Sequence, residues 1–201
     1  LHFHIGSQIT DLNVFKSLCV KVNDIVKWFT ERGVNVKVIN VGGGLGIDYY
    51  EPDTKLIVDL ETYLRIFDSF LERTAQQEVH FELGRALVAN SGSLISRVLF
   101  VKNGQVTNFA ILDAGMTELM RPALYQAYHK FQNILKNGKG KNKKYDLGGP
   151  ICESTDCFGK AVELPETQRG DLIAIRTAGA YGEVMASNYN LRNKVNVVYS
   201  E

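Results

Sequence analysis

Six short segments offer reactive side chains or backbone that a ligand can approach. Gly42, Gly43 and Gly44, continued by Leu45 and Gly46, close a short apolar run. Consecutive glycines at a strand end leave backbone N–H groups open to an anion, with no side chain in the way. At the end of a parallel strand such a turn suits a phosphate; it can also be only a tight turn. His4, just ahead of Gly6-Ser7-Gln8, offers an imidazole that can stack on an aromatic group or exchange protons. A lone His near a strand is more often a satisfied core residue, and Ser7 can bind phosphate or merely cap a turn. Glu82-Leu83-Gly84-Arg85 sets a carboxylate and a guanidinium three residues apart, able to face one cavity or to form a half-buried ion pair.

Two further groups lie in the second half, with one small-residue loop beyond them. Arg121-Pro122-Ala123-Leu124-Tyr125 spaces a cation and a phenol four residues apart, on one face if the segment is helical. Cys152 and Glu153, with Asp156, follow Gly148-Gly149-Pro150, an irregular loop where a thiol can be exposed and reactive. Cys152 and Cys157 have the wrong spacing for a zinc knuckle and no His close by. Ala178-Gly179-Ala180-Tyr181-Gly182 is a small-residue loop with one phenol, suited to close approach. Each of these alone is more often structural than catalytic.

The elements that must hold these residues fall into two textures. From Leu1 to Leu87, short apolar runs alternate with helical patterns. Leu1–Ile5, Val36–Val41 and Val79–Leu83 read as strands. Asp11 can cap a helix with Val14, Leu18, Val22, Ile25, Val26 and Phe29 at helical spacing, ended by Gly33. A second helix runs from Asp59 to about Thr74, with Leu60, Leu64, Phe67 and Leu71 on one face. Strand, helix, strand, helix, strand predicts parallel strands with helical crossovers. His4, the glycine triplet and Glu82–Arg85 then share the C-terminal ends of successive strands, which in a barrel of parallel strands is the active-site face. From Val88 onward, strand-like runs at Ser93–Lys102, Thr107–Asp113, Leu172–Arg176 and Val195–Tyr199 predict an all-β barrel or sandwich. Gly138–Lys144 reads as a solvated loop. The expected class is α/β plus all-β, with residues 1–87 as the first domain and 88–201 as the second.

Composition narrows the function classes. Hydrophobic residues make up 45 % and charged residues 22 %, which excludes disordered and fibrous classes. The net charge of +1 gives no electrostatic reason to expect nucleic acid or an anionic membrane. No apolar run approaches bilayer length. The three cysteines are too few and odd in number for a disulfide framework, so a cytoplasmic setting is expected. The chain opens inside a strand without Met and ends at Tyr199-Ser200-Glu201 as if in another, so a fragment is expected.

Seven segments in order resemble the pyridoxal-phosphate-dependent amino-acid decarboxylases, which pair an alanine-racemase-like (β/α)8 barrel with a β-domain. They are His2–Gln8, Asn40–Gly46, Glu82–Arg85, Asp113–Met116, Arg121–Tyr125, Gly149–Asp156 and Gly179–Gly182. The Arg-Pro-Ala-Leu-Tyr and Cys-Glu-Ser segments are similar to those of members acting on meso-2,6-diaminopimelate rather than on ornithine or arginine. The resemblance implies decarboxylation of that substrate to L-lysine with pyridoxal 5'-phosphate. Its alternatives are a relative acting on another diamino acid, such as ornithine, arginine or carboxynorspermidine, or a non-catalytic cofactor-binding relative.

The resemblance also implies roles. Glu82 bonds the pyridine nitrogen and His4 stacks on the ring. Ser7, Gly42, Gly43, Gly44 and Tyr181 hold the phosphate, with Leu83, Gly84 and Arg85 beside it. Arg85, Arg121, Tyr125, Glu153 and Tyr181 grip the substrate, and Cys152 protonates the α-carbon. Cys152 and Glu153 serve the partner subunit, which implies a homodimer. The family usually has Pro where this chain has Leu83. The lysine that holds the cofactor belongs to an early barrel strand outside this sequence, so the chain alone is expected to be inactive.

Overall fold

The structure, a computed structural model, describes residues 1–54, 58–136 and 138–200. Glu201, part of the expectation that the chain ends as if in a strand, lies outside them. The described residues divide into two compact units. One comprises residues 1–47 and 58–87, the other residues 48–54, 88–136 and 138–200.

In the first unit, helix α1 (Asn13–Thr30) precedes strand β1 (Val38–Asn40), and helix α2 (Leu60–Phe70) precedes strand β2 (Glu78–His80). β1 and β2 pair in parallel, Asn40 opposite His80. The first residues add a third parallel line. His2 bridges Asn40, Phe3 N–H donates to Asn40 O, and Asn40 N–H donates to Leu1 O. The strands are shorter than the apolar runs, because each gives way within two residues to the turn that carries the reactive groups. α2 ends at Phe70, four residues before Thr74, with Leu71 already extended. Asp59 caps it, its carboxylate accepting from Thr62 N–H at 2.9 Å. α1 has no side-chain cap; Asp11 instead accepts from the Asn13 backbone.

Strand alternation sorts the side chains. Phe3, Ile39, Val41, Val79 and Phe81 turn to a core closed by Phe15, Leu18, Val22, Tyr63, Ile66 and Phe67 from the two helices. Phe15 and Tyr63 meet edge to face at 4.9 Å, and Phe67 and Phe81 at 5.0 Å. Each such buried ring contributes roughly 1.5–3 kcal/mol. Burial also pushes the Tyr63 phenol up to about 12. The opposite parity, His2, Asn40 and Glu82, is left for chemistry.

In the second unit, helix α3 (Arg85–Val88), which begins in the first unit, leads into strands β3 (Leu94–Asn103) and β4 (Asn108–Leu112). Helix α4 (Arg121–Tyr125) follows, then β5 (Phe131–Asn133), β6 (Asn142–Gly148), β7 (Cys157–Pro165) and β8 (Leu172–Ile175). They form a six-stranded sheet in the order β5-β8-β3-β4-β6-β7. All pairs are antiparallel except β4 with β6. The sheet nearly closes: a Cβ built at Gly159 on β7 would sit 3.3 Å from the Phe131 ring on β5. Val98, Leu112, Tyr145, Leu147, Leu164, Ile173 and Ile175 fill its core.

Three differences from expectation have physical causes. Asn142–Lys144, expected in a loop, open β6, where Lys143 and Lys144 pair outward with Glu166 and Glu163. Residues 193–200 form no strand although Val195–Tyr199 has the composition of one; Val198 and Tyr199 are 88 % and 83 % exposed and find no ladder partner among the described residues. Residues 48–54 leave the first unit and pack on the second. There Asp53 pairs with Arg176 at 2.6 Å, Glu51 with Lys130 at 2.9 Å, and Tyr50 stacks on Tyr128. No described helix is long and apolar enough to cross a membrane.

Candidate active site

In the first unit, His4, the glycine triplet and Glu82–Arg85 follow three neighbouring parallel strands at the same edge, as the sequence predicts. The geometry adds Asn40 as their link. Its side-chain oxygen accepts from Gly42 N–H at 2.8 Å, and its amide nitrogen donates to Glu82 Oε1 at 2.9 Å. His2 Nε2 meets Glu82 Oε2 at 3.2 Å. These two side-chain bonds, Asn40 first and His2 second, hold the Glu82 carboxyl below the usual carboxylate range. The product is an ionised carboxylate, still half exposed, aimed off a strand end.

The glycines answer a demand that the sequence alone did not reveal. A Cβ on Gly42, whose φ is +71°, would fall 2.3 Å from Phe3 O; one on Gly43 would fall 2.2 Å from Glu82 O. Neighbouring backbones therefore touch this turn on both sides. Glu82 N–H donates to Gly42 O at 2.8 Å, which ties the turn to the carboxylate's own backbone. On the same edge Arg85 Nη2 donates to Ser7 Oγ at 3.1 Å. His4 lies against the turn, its Nδ1 3.3 Å from the Cβ position of Gly42. Leu83 packs toward the core.

In the second unit the segments around Arg121, Cys152 and Tyr181 are laced together by groups other than the expected ones. Asp156, 7 % exposed, takes Met116 N–H on Oδ1 at 2.6 Å and Ile151 N–H on Oδ2 at 2.7 Å. Gly149 N–H returns to Asp156 O at 3.0 Å. This ring holds the loop that exposes Cys152 and Glu153. Burial, outweighing the two backbone donors, pushes the Asp156 carboxyl up from its ordinary value. Ser187 N–H donates to Thr117 O, and Gly182 backs onto Leu119, so the Tyr181 segment joins the same cluster. Tyr181 has a φ of +67° and is 39 % exposed.

Arg121 and Tyr125 leave one turn of helix but meet different surroundings. Arg121 is 6 % exposed and Tyr125 64 %. Arg121 Nη1 lies 3.0 Å from His129 Nε2, and its guanidinium sits 4.9 Å over the Tyr49 ring. Motif reading gave no role to Asn40, His2 or His129, and named Asp156 only beside Cys152 and Glu153. Asn40 alone had a local signal, an amide two residues before a glycine turn.

The family model described as "Pyridoxal-dependent decarboxylase, C-terminal sheet domain" matches residues 10–179. Diaminopimelate decarboxylase of Bacteroides thetaiotaomicron is 55 % identical over 96 % of this chain and 49 % of its own length. That of Methanocaldococcus jannaschii is 40 % identical over 98 % of the chain and 45 % of its own. The crystal structure of diaminopimelate decarboxylase from Helicobacter pylori complexed with L-lysine superposes with a TM-score of 0.84 at 39 % identity, covering 96 % of this chain and 47 % of that one. A lysine/ornithine decarboxylase of Vibrio vulnificus complexed with cadaverine gives 0.82 at 25 % identity, covering 96 % and 52 %. The chain spans about half the length of the curated relatives it matches.

Proposed function

The chain belongs to the pyridoxal-dependent decarboxylases, and from that premise we propose that it is about half of an enzyme that removes CO₂ from meso-2,6-diaminopimelate and releases L-lysine. The observation that carries this reading is the ionised Glu82 carboxylate at the strand edge, tied through Asn40 to a glycine turn. A carboxylate kept ionised beside an imidazole, with a guanidinium–hydroxyl pair on the same edge, fits a phosphorylated, protonated pyridine. The choice of substrate rests on likeness to diaminopimelate decarboxylases of 40–55 % identity and to a structure holding L-lysine.

When bound, pyridoxal 5'-phosphate supplies a ring that takes up the electron pair left on the α-carbon as CO₂ departs. Glu82 would keep a proton on the ring nitrogen, which an amide there would do far less well. His4 would stack on the ring. Ser7 and the N–H groups of Gly43 and Gly44 would hold the phosphate, with Gly42, Leu83, Gly84 and Arg85 alongside, the Gly42 N–H being taken by Asn40; the family resemblance adds Tyr181. Arg121 and Arg85 recognise a carboxylate, and Glu153 with Tyr125 an amine, because the far end of this substrate is itself an amino acid. Cys152 delivers a proton to the α-carbon. The family resemblance implies that Cys152 and Glu153 serve the partner subunit's site, so a homodimer is proposed. The class of the whole protein is a (β/α)8 barrel followed by a β-barrel or sandwich, and three free thiols suit a cytoplasmic setting.

The test is CO₂ release by the full-length protein from meso-diaminopimelate, ornithine and arginine in parallel. Turnover of meso-diaminopimelate is expected to dominate; faster turnover of ornithine overturns the assignment.

A further inference from the structure

We propose that His129 is a positioning residue that aims the Arg121 guanidinium at the carboxylate of the substrate's distal end, a step that rests on the substrate assignment. His129 is fully buried, and both of its ring nitrogens are committed. Nε2 lies 3.0 Å from Arg121 Nη1, and Nδ1 lies 2.9 Å from the carbonyl oxygen of Arg176. A guanidinium only donates and a carbonyl only accepts. Nδ1 therefore carries the hydrogen and Nε2 the lone pair, which makes His129 the neutral Nδ1–H tautomer.

That tautomer has a consequence for charge. A carboxylate in the same place would orient Arg121 and also cancel it. The imidazole orients Arg121 through this bond without bringing a negative charge of its own. Tyr49 completes the seat: its ring meets His129 edge to face at 5.3 Å and lies 4.9 Å from the guanidinium carbon. Face contact with an aromatic ring holds a guanidinium plane without neutralising it.

The other bond of His129 reaches a second site segment. Arg176 directly precedes Thr177, a buried β-branched residue at a φ of +61° whose hydroxyl has no hydrogen-bond partner among the described residues. Thr177 opens the loop that ends at Tyr181, also at positive φ. His129 thus joins Arg121 on α4 to the root of the Tyr181 loop, elements 55 residues apart in sequence between positions 121 and 176. Two strained positions in one short loop need such an anchor to persist.

The two bonds can be separated in the full-length holoenzyme. His129→Asn places an amide where Nδ1 lies, so it can keep the bond to Arg176 O while losing Arg121. His129→Gln reaches the Nε2 position, where its oxygen can accept from Arg121. The readout is equilibrium binding of two probes by calorimetry, L-lysine and cadaverine, the same diamine without the carboxylate. The wild type should bind L-lysine more tightly. His129→Asn should lose on the order of tenfold or more in L-lysine affinity, the worth of one charge-assisted bond, and leave cadaverine within about twofold. His129→Gln should recover most of the loss. Unchanged L-lysine binding in His129→Asn, or equal loss for both probes, overturns the positioning role. A wild type that binds both probes alike sinks the distal-carboxylate assignment itself, and the positioning role with it.

Discussion

Asp156→Asn isolates one side chain's hold on the loop that presents Cys152. The carboxylate accepts from Met116 N–H at 2.6 Å and Ile151 N–H at 2.7 Å. Gly115 and Gly149 come so close that added Cβ atoms would sit 2.9 Å and 2.3 Å from its oxygens. An amide of the same shape fits the space but offers one oxygen and one NH₂. The Ile151 donor is fully buried and the Met116 donor only partly so. The oxygen therefore turns to Ile151, where an unpaired donor costs more, and the NH₂ faces Met116 N–H. Losing a bond to a charged acceptor costs about 1.5–3 kcal/mol, of which relief of the buried charge returns part. A net loss of about 1–2 kcal/mol accelerates opening about 5- to 30-fold. Hydrogen exchange of the full-length protein reads this directly, with the Met116 amide quickened and core amides such as Leu147 unchanged. Equal protection at Met116 in both proteins would refute the clasp.

The same carboxyl fixes the sign of a pH effect. Burial raises its folded-state pKa above the ordinary 3.8. Its contribution to stability is then present below 3.8 and is lost as pH rises through the folded value. Asn has no proton to lose. The stability gap between wild type and Asp156→Asn should therefore narrow as pH rises through the range just above 3.8, then stay flat to neutrality. A gap that widens over that range contradicts the assignment of burial as the dominant cause.

Other outcomes follow from the first unit's edge and from the thiols. Gly43→Ala must push a methyl into Glu82 O, 2.2 Å away; a fall in thermal midpoint worth about 1–3 kcal/mol and weaker cofactor retention are expected, and an unaltered midpoint would show that the backbone yields. Asn40→Ala removes the largest influence on Glu82, so the Glu82 carboxyl, now below 4.5, should titrate at higher pH by carbon-detected NMR; no movement would leave Asn40 without that role. Alkylation should modify Cys152 first, since Cys152 alone is exposed, Cys19 is buried with its thiol pushed up to about 11, and burial also raises Cys157; faster labelling of Cys157 in peptide maps would contradict the loop geometry. Cys152→Ala should slow CO₂ release from meso-diaminopimelate by about 10²- to 10⁴-fold without lowering the thermal midpoint, and full activity would remove it as the proton donor.

What the sequence discloses is local in range. Glycines at strand ends, the cap at Asp59 and the alternation of strand and helix are written in windows of a few residues, and the parallel edge carrying His4, Gly42–Gly44 and Glu82 follows from them. β6 escaped the same reading because its lysines pair outward and only Tyr145 and Leu147 are buried, a pattern too sparse to separate from a solvated turn. The residues that orient the site lie further from reach. Asn40 meets Glu82 across 42 positions, Asp156 meets Met116 across 40, and His129 meets Arg176 across 47. A buried polar side chain is defined by its partner's hydrogen-bonding sense, donor or acceptor, and that sense has no periodicity along a chain. The motif residues are legible because a ligand needs them at a strand end or in a glycine-marked loop. The residues that aim them are legible only once the backbone has folded, because the donors and acceptors they satisfy belong to the protein itself.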